Sequence, residues 1–82
     1  MYSIEFSKHA EEQLLKLPKE IQSRIIDVLD RIKIRPHHFV KRLSGEDYFR
    51  LRVGKYRVIL DIRNDKLIIY VIEMGLRSNI YK

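Results

Sequence analysis

Along the chain the apolar positions first alternate, then step at helical spacing, then alternate again. Residues 2–6 set Tyr2, Ile4 and Phe6 against Ser3 and Glu5, the two-residue period of a short strand. Ser7 follows where a helix N-cap belongs. Beyond it Ala10, Leu14 and Leu17, with Leu15 beside them, are spaced for one face of a helix. Pro18 ends that helix and suits the first turn of a second. There Ile21, Ile25, Val28 and Ile32 recur at steps of four, three and four, widened by Ile26 and Leu29, until Pro36 closes the pattern. The result is an αα-hairpin whose apolar stripe must be buried against something.

Residues 48–63 supply that surface as a β-hairpin. If Gly54-Lys55 is a two-residue loop, glycine at its first position suits a type II′ turn, and the turn sets the register. Val53 then faces Tyr56, Arg52 faces Arg57, Leu51 faces Val58, Arg50 faces Ile59 and Phe49 faces Leu60. One face collects Phe49, Leu51, Val53, Tyr56, Val58, Leu60 and Ile62, a core surface. The other collects Tyr48, Arg50, Arg52, Arg57, Ile59, Asp61 and Arg63. A second turn is expected at residues 63–66, with Asn64 and Asp65 at the positions of positive φ. A third strand over residues 66–74 follows, with Leu67, Ile69 and Val71 on one face and Ile68, Tyr70 and Ile72 on the other. Ile59, Tyr70 and Ile72 thus give the arginine face an apolar floor, as in a binding surface. Residues 36–47 read as a loop.

Composition is that of a globular chain: 82 residues, 45% hydrophobic and 34% charged. This is one domain, 1–82. With no cysteine, a disulfide framework, a thiol nucleophile and a zinc knuckle are excluded. No apolar run approaches the ~18 residues of a membrane span, and the N-terminus has no signal-peptide pattern, so a soluble cytoplasmic protein is expected. The net charge of +6 is uneven, with seven Lys+Arg against six acids in residues 1–40 and ten against five in residues 41–82. The excess sits in the hairpin half and favours an anionic partner such as nucleic acid or an acidic protein.

The hairpin register puts Arg52 opposite Arg57, a like-charge pair that destabilises a sheet by about 0.2–1 kcal/mol. A solvated face with splayed side chains would tolerate it. An anion site would use it, because guanidiniums present planar donor forks and keep their charge. His37 and His38 are adjacent in a loop and do not aim both rings at one ion, so no metal site is expected. His9, in a first helical turn, reads as surface. No segment suggests a cofactor.

The order strand, two helices, loop and hairpin, with Arg50-Leu51-Arg52-Val53-Gly54-Lys55-Tyr56-Arg57, Gly75-Leu76-Arg77 and Ile80-Tyr81, resembles the RelE/ParE superfamily of bacterial and archaeal toxins, and within it the RelE branch. The resemblance implies an α+β fold: an N-terminal strand and an αα-hairpin packed on one face of a small, mainly antiparallel four-stranded sheet. It implies the toxin of a type II toxin–antitoxin system, a ribosome-dependent endoribonuclease that cuts messenger RNA in the A site. In that chemistry the ribose 2′-oxygen attacks its own 3′ phosphate, leaving a 2′,3′-cyclic phosphate and a 5′-hydroxyl.

By position in the motif Arg57 corresponds to the arginine on the scissile phosphate. Arg77 corresponds to the late arginine of charge stabilisation or leaving-group protonation, and Tyr81 to the tyrosine that stacks on or orients the base. Arg50 stands where the family commonly has a catalytic lysine. Arg52, with Lys41, Arg42 and Lys55, is expected to bind RNA phosphates. Tyr48 replaces a lysine of some members and leaves the general base unassigned. Arginine is a poor base, and Tyr81, Tyr48, Lys41 and Lys55 are the alternatives. Implied partners are the ribosome, its messenger RNA and an acidic RelB-like antitoxin, possible as a heterotetramer. The antitoxin would cover Ile59, Tyr70, Ile72 and the arginines. A ParE-like gyrase inhibitor and a binding module without catalysis are the competing functions on the same fold.

Overall fold

The computed structural model describes residues 1–43, 45 and 47–76. In chain order these form β1 (Ser3–Phe6), α1 (Lys8–Leu15), α2 (Lys19–Ile32), a 3-10 turn (Pro36–His38), β2 (Lys41–Arg42), β3 (Phe49–Val53), β4 (Tyr56–Arg63) and β5 (Ile68–Leu76). The strands build one five-stranded sheet in the order β1-β5-β4-β3-β2, with β1 parallel to β5 and the other pairs antiparallel. The α+β layout is the expected one with a fifth strand added. β2 lies in the stretch read as loop: Lys41 pairs with Arg50, Arg42 with Phe49, and the Leu43 amide donates to the Tyr48 carbonyl at 2.9 Å. Two residues are too few for alternation to reveal, so only pairing defines this edge.

Specific side chains fix where the helices start and how they join. The Ser7 hydroxyl accepts from the Ala10 amide at 3.0 Å and satisfies one free donor of the first turn of α1. Pro18 stands at the N-cap of α2, and its carbonyl accepts from the Ile21 and Gln22 amides. Gln22 returns its side-chain amide to the Leu17 carbonyl at 2.8 Å, tying the start of α2 to the end of α1. Ala10, Leu14, Ile25, Leu29 and Ile32 are buried against Leu51, Val53, Val58, Leu60, Ile62, Ile69, Val71 and Met74. Ile26 and Leu15 lie off that stripe and are exposed.

The β3–β4 hairpin has the predicted register throughout. Gly54 has φ +59° while Lys55 is not in the left-handed region, the combination of a type II′ turn. A Cβ at Gly54 would meet the Arg24 guanidinium at 3.5 Å, an ordinary contact. Backbone conformation, not space, therefore calls for glycine here.

The next turn differs from expectation. The β4–β5 loop spans residues 64–67, β5 starts two residues late, and the positive φ falls on Leu67 at 54° instead of on Asn64 or Asp65. Asn64 instead bridges two other segments, since its Oδ1 accepts from the Tyr2 hydroxyl at 2.8 Å and lies 2.9 Å from His37 Nε2. Leu67 gives its carbonyl to the Ser3 amide at 2.8 Å, which starts the β1–β5 ladder. Gly75 lies inside β5 and pairs with Arg57.

One irregularity in β5 decides where its second half points. Leu60 pairs with Val71 but Ile59 pairs with Glu73, so Ile72 and Glu73 together oppose Ile59 in a β-bulge. Helix α1 holds this bulge from the side. The Ser7 hydroxyl donates to the Ile72 carbonyl at 2.7 Å, the Ser7 amide to the Val71 carbonyl at 2.9 Å, and the Met74 amide to Gln13 Oε1 at 2.7 Å. These bonds occupy the edge of β5 beyond the end of β1, where unpaired backbone groups would otherwise be left. Ser7→Ala removes the helix cap and the Ile72 contact together. A stability loss of about 1–3 kcal/mol is expected in urea unfolding, with Ser7→Thr recovering most of it.

Candidate functional site

The face of the sheet turned away from the helices gathers the charged residues in rows across the strands. Lys41 (β2), Arg50 (β3), Ile59 (β4) and Glu73 (β5) are successive cross-strand partners, and Arg52, Arg57 and Gly75 form the next row. A third row runs Asp61, Tyr70, Glu5 from β4 through β5 to β1. Lys41 joins this face because β2 pairs in the register that sets it beside Arg50. Arg50, Arg52 and Arg57 thus share one face, as the hairpin pattern in the sequence requires, and Lys41 joins them from β2.

Their depths differ. Arg52 and Lys41 are exposed and Arg50 is half-buried, whereas Arg57 is only 4% exposed. Low accessibility weakens the screening by water around the Arg57 guanidinium, so charges close to it act on it more strongly than they would in solvent. Gly75, directly opposite, has no side chain to fill the space beside it. Arg52 and Arg50 add two more planar forks on the adjacent strand. The chemistry offered is phosphate recognition by a rigid cluster of permanent cations.

Other sequence candidates fall elsewhere. Arg42 pairs with Phe49 and so belongs to the helix-facing side of the edge; its guanidinium lies 5.6 Å from the Phe49 ring centre and 3.6 Å from Asp47. Lys55 is exposed at the hairpin tip. Tyr48 and Arg42 border a polar cleft of about 480 Å³, together with Asp61, Arg63 and Asn64, at the opposite end of the strands from that tip. In this cleft Arg63 Nε donates to Asp61 Oδ2 at 2.9 Å, and this bond, then the Asp61 charge, holds the Arg63 guanidinium above its ordinary pKa. Ile59, expected to be an open part of the floor, is 3% exposed. It sits in the central strand between Arg50 and Glu73, with Arg57 and Asp61 two residues before and after it. Tyr70 and Ile72 remain partly accessible. Arg77 and Tyr81 lie outside the described residues. No cluster of metal-ligating side chains occurs among the described residues.

Glu73 was not anticipated. Strict alternation from Ile69 and Val71 would put Glu73 in the core opposite Val58 and Met74 on the open face opposite Arg57; the bulge exchanges them. The clue in the sequence was a charged residue falling on the buried phase of an otherwise apolar strand, followed at once by a Met on the open phase.

Residues 4–81 match the family profile described as the ParE toxin of the type II toxin–antitoxin system parDE. The chain belongs to this toxin family. A Methanocaldococcus jannaschii protein named as toxin RelE1 is 28% identical over 86 residues, covering 99% of this chain and 96% of its own length. The archaeal RelE–RelB complex of Pyrococcus horikoshii contains a chain 27% identical with a TM-score of 0.81, covering 95% of this chain and 97% of that one. A chain of the RelBE2 toxin–antitoxin complex of Mycobacterium tuberculosis superposes with a TM-score of 0.85 at 24% identity, covering 93% and 98%, a likeness of fold. The resemblance to the RelE/ParE superfamily, including the RelE side of it, is therefore borne out.

Because Arg52 and Arg57 repel each other across the hairpin, Arg52→Thr should keep the fold and raise stability by a few tenths to about 1 kcal/mol. Chemical denaturation at low salt is the check, since screening shrinks the difference.

Proposed function

We propose that this toxin is a ribosome-dependent endoribonuclease that cuts messenger RNA in the A site through attack of the 2′-hydroxyl on the adjoining phosphate. The observation that carries this reading is the convergence of Arg50, Arg52 and Arg57 on one open sheet face, with Arg57 sunk into it. The reaction passes through a phosphorane whose extra negative charge needs fixed donors, and guanidiniums preorganised on a sheet supply them without rearrangement. Arg57 would hold the scissile phosphate, Arg50 and Arg52 its non-bridging oxygens and the neighbouring phosphate. Arg77 and Tyr81 complete the site in this reading, as charge or proton donor and as base platform. Lys41 extends the cationic track to the sheet edge, and the ribosome orients the message.

An acidic RelB-like antitoxin is the proposed regulatory partner, in line with the complexes in which the matched relatives occur. Its chemistry would neutralise the arginines and cover Tyr70 and Ile72 together. Ile59 lies too deep to take part. The ParE profile supports a second reading, inhibition of DNA gyrase by binding.

Primer extension on messenger RNA in programmed ribosomes separates the two. New 5′ ends inside the A-site codon are expected with the wild-type protein. Arg57→Ala and Arg77→Ala should each lower the cleavage rate about 10²–10³-fold, as loss of a preorganised charge donor does, with the folded protein retained. An intact message accompanied by loss of gyrase supercoiling would select the second reading instead.

A further inference from the structure

We propose that Glu73 is the general base of this site, its carboxylate taking the proton of the ribose 2′-hydroxyl. The inference rests on the endoribonuclease reading above and supplies a group that reading lacks.

Three observations carry it. The first is placement: Glu73 is paired with Ile59 while Arg57 is paired with Gly75, so Glu73 and Arg57 are diagonal neighbours on one face. Such neighbours have backbones about 7–8 Å apart, within reach of long side chains. A phosphate on Arg57 would bring the sugar that carries it within range of Glu73.

The second is that the backbone departs from regular pairing to put the carboxylate there. The bulge turns Glu73 out of the core phase, and α1 anchors that bulge with Ser7 on Ile72 and Gln13 on Met74. Bulges occur beside active sites where they re-aim a side chain, and this one re-aims an acid into a cationic cluster.

The third is chemical economy on this face. Arg50, Arg52 and Arg57 stay protonated and cannot accept a proton. Asp61 is engaged by Arg63 at 2.9 Å. Glu5 stands on β1, across β5 from the arginine rows. Glu73 alone of these acids shares a row with Arg50 and a diagonal with Arg57, and it is half-buried.

In the reaction Glu73 takes the 2′ proton as the 2′ oxygen forms its bond to phosphorus. The bond from phosphorus to the 5′ oxygen breaks with its electron pair on that oxygen, which takes a proton from water. Glu73 then returns its proton to solvent.

Single-turnover cleavage of messenger RNA on programmed ribosomes by full-length Glu73→Gln and Glu73→Ala tests the assignment. Both should cut about 10²–10⁴-fold more slowly than wild type, the usual size of a general-base contribution. Both should still co-sediment with ribosomes and keep the wild-type unfolding midpoint, and added acetate should restore part of the Glu73→Ala rate. Glu73→Gln is nearly isosteric and carries the test should the alanine variant not fold. Cleavage by Glu73→Gln at the wild-type rate would overturn the role of Glu73 and leave the endoribonuclease reading standing. A slow Glu73→Ala enzyme that acetate cannot restore and that no longer binds ribosomes would also overturn it, showing a positioning role through Arg57. A message left uncut by wild type would remove the endoribonuclease reading and Glu73 with it.

Discussion

The hydrogen bond from the Ser7 hydroxyl to the Ile72 carbonyl joins the two halves of the molecule at the point where each needs the other. The same oxygen caps α1 by accepting from Ala10, so the start of the helix and the kink in β5 are tied to one atom. A serine hydroxyl can do both because it holds one donor and two acceptor sites. β1 runs alongside β5 only as far as the pairing of Phe6 with Val71. Beyond it the ladder of β5 would face nothing, and Ser7 and Gln13 take over there. Met74 can then enter the core, and Glu73 turns to the opposite face.

The hairpin supplies the second constraint. With Gly54 in the left-handed region the turn admits one register, and that register opposes Arg52 to Arg57. The penalty for such a pair is small beside the burial of Leu51, Val53, Val58 and Leu60 behind it, worth about 1.5–3 kcal/mol for each large side chain. The apolar face therefore dictates where the arginines stand. Charge repulsion is tolerated because the core has already decided the geometry.

Much of this could be read from residues in order. Helix boundaries followed from Ser7, Pro18 and Pro36, and the hairpin from one glycine between alternating runs. What escaped were features in which a side chain outweighs local pattern. Asn64 looked like a turn former, yet it serves as the acceptor for Tyr2 and lies against His37, and the loop lengthened around it. β2 is two residues long, too short for its pattern to show before it pairs with β3. The bulge at Ile72 depends on partners more than sixty residues away in sequence, which periodicity within β5 cannot see. Ile59 was placed on the correct face, but its depth depends on its neighbours there, not on its own polarity. Of the candidate site, the residues on the regular hairpin were legible. Glu73 was not, because its face is set by an irregularity.

The finished face is polar in a second sense, across the strands. Lys41, Arg50, Arg52 and Arg57 occupy β2, β3 and the near half of β4, while Glu73 and Glu5 stand on β5 and β1 and Asp61, farther along β4, is paired with Arg63. An anionic strand arriving under the long-range pull of a +6 chain meets attraction on one side and repulsion on the other. Screening at physiological salt has a length of about 8 Å, less than the width of three strands, so the two sides couple only where they adjoin. The boundary between them passes between Arg57 and Glu73. A phosphodiester settled on the arginines would therefore have its lateral position fixed by the acids as well as by the cations, with one carboxylate at the edge of the phosphate it faces.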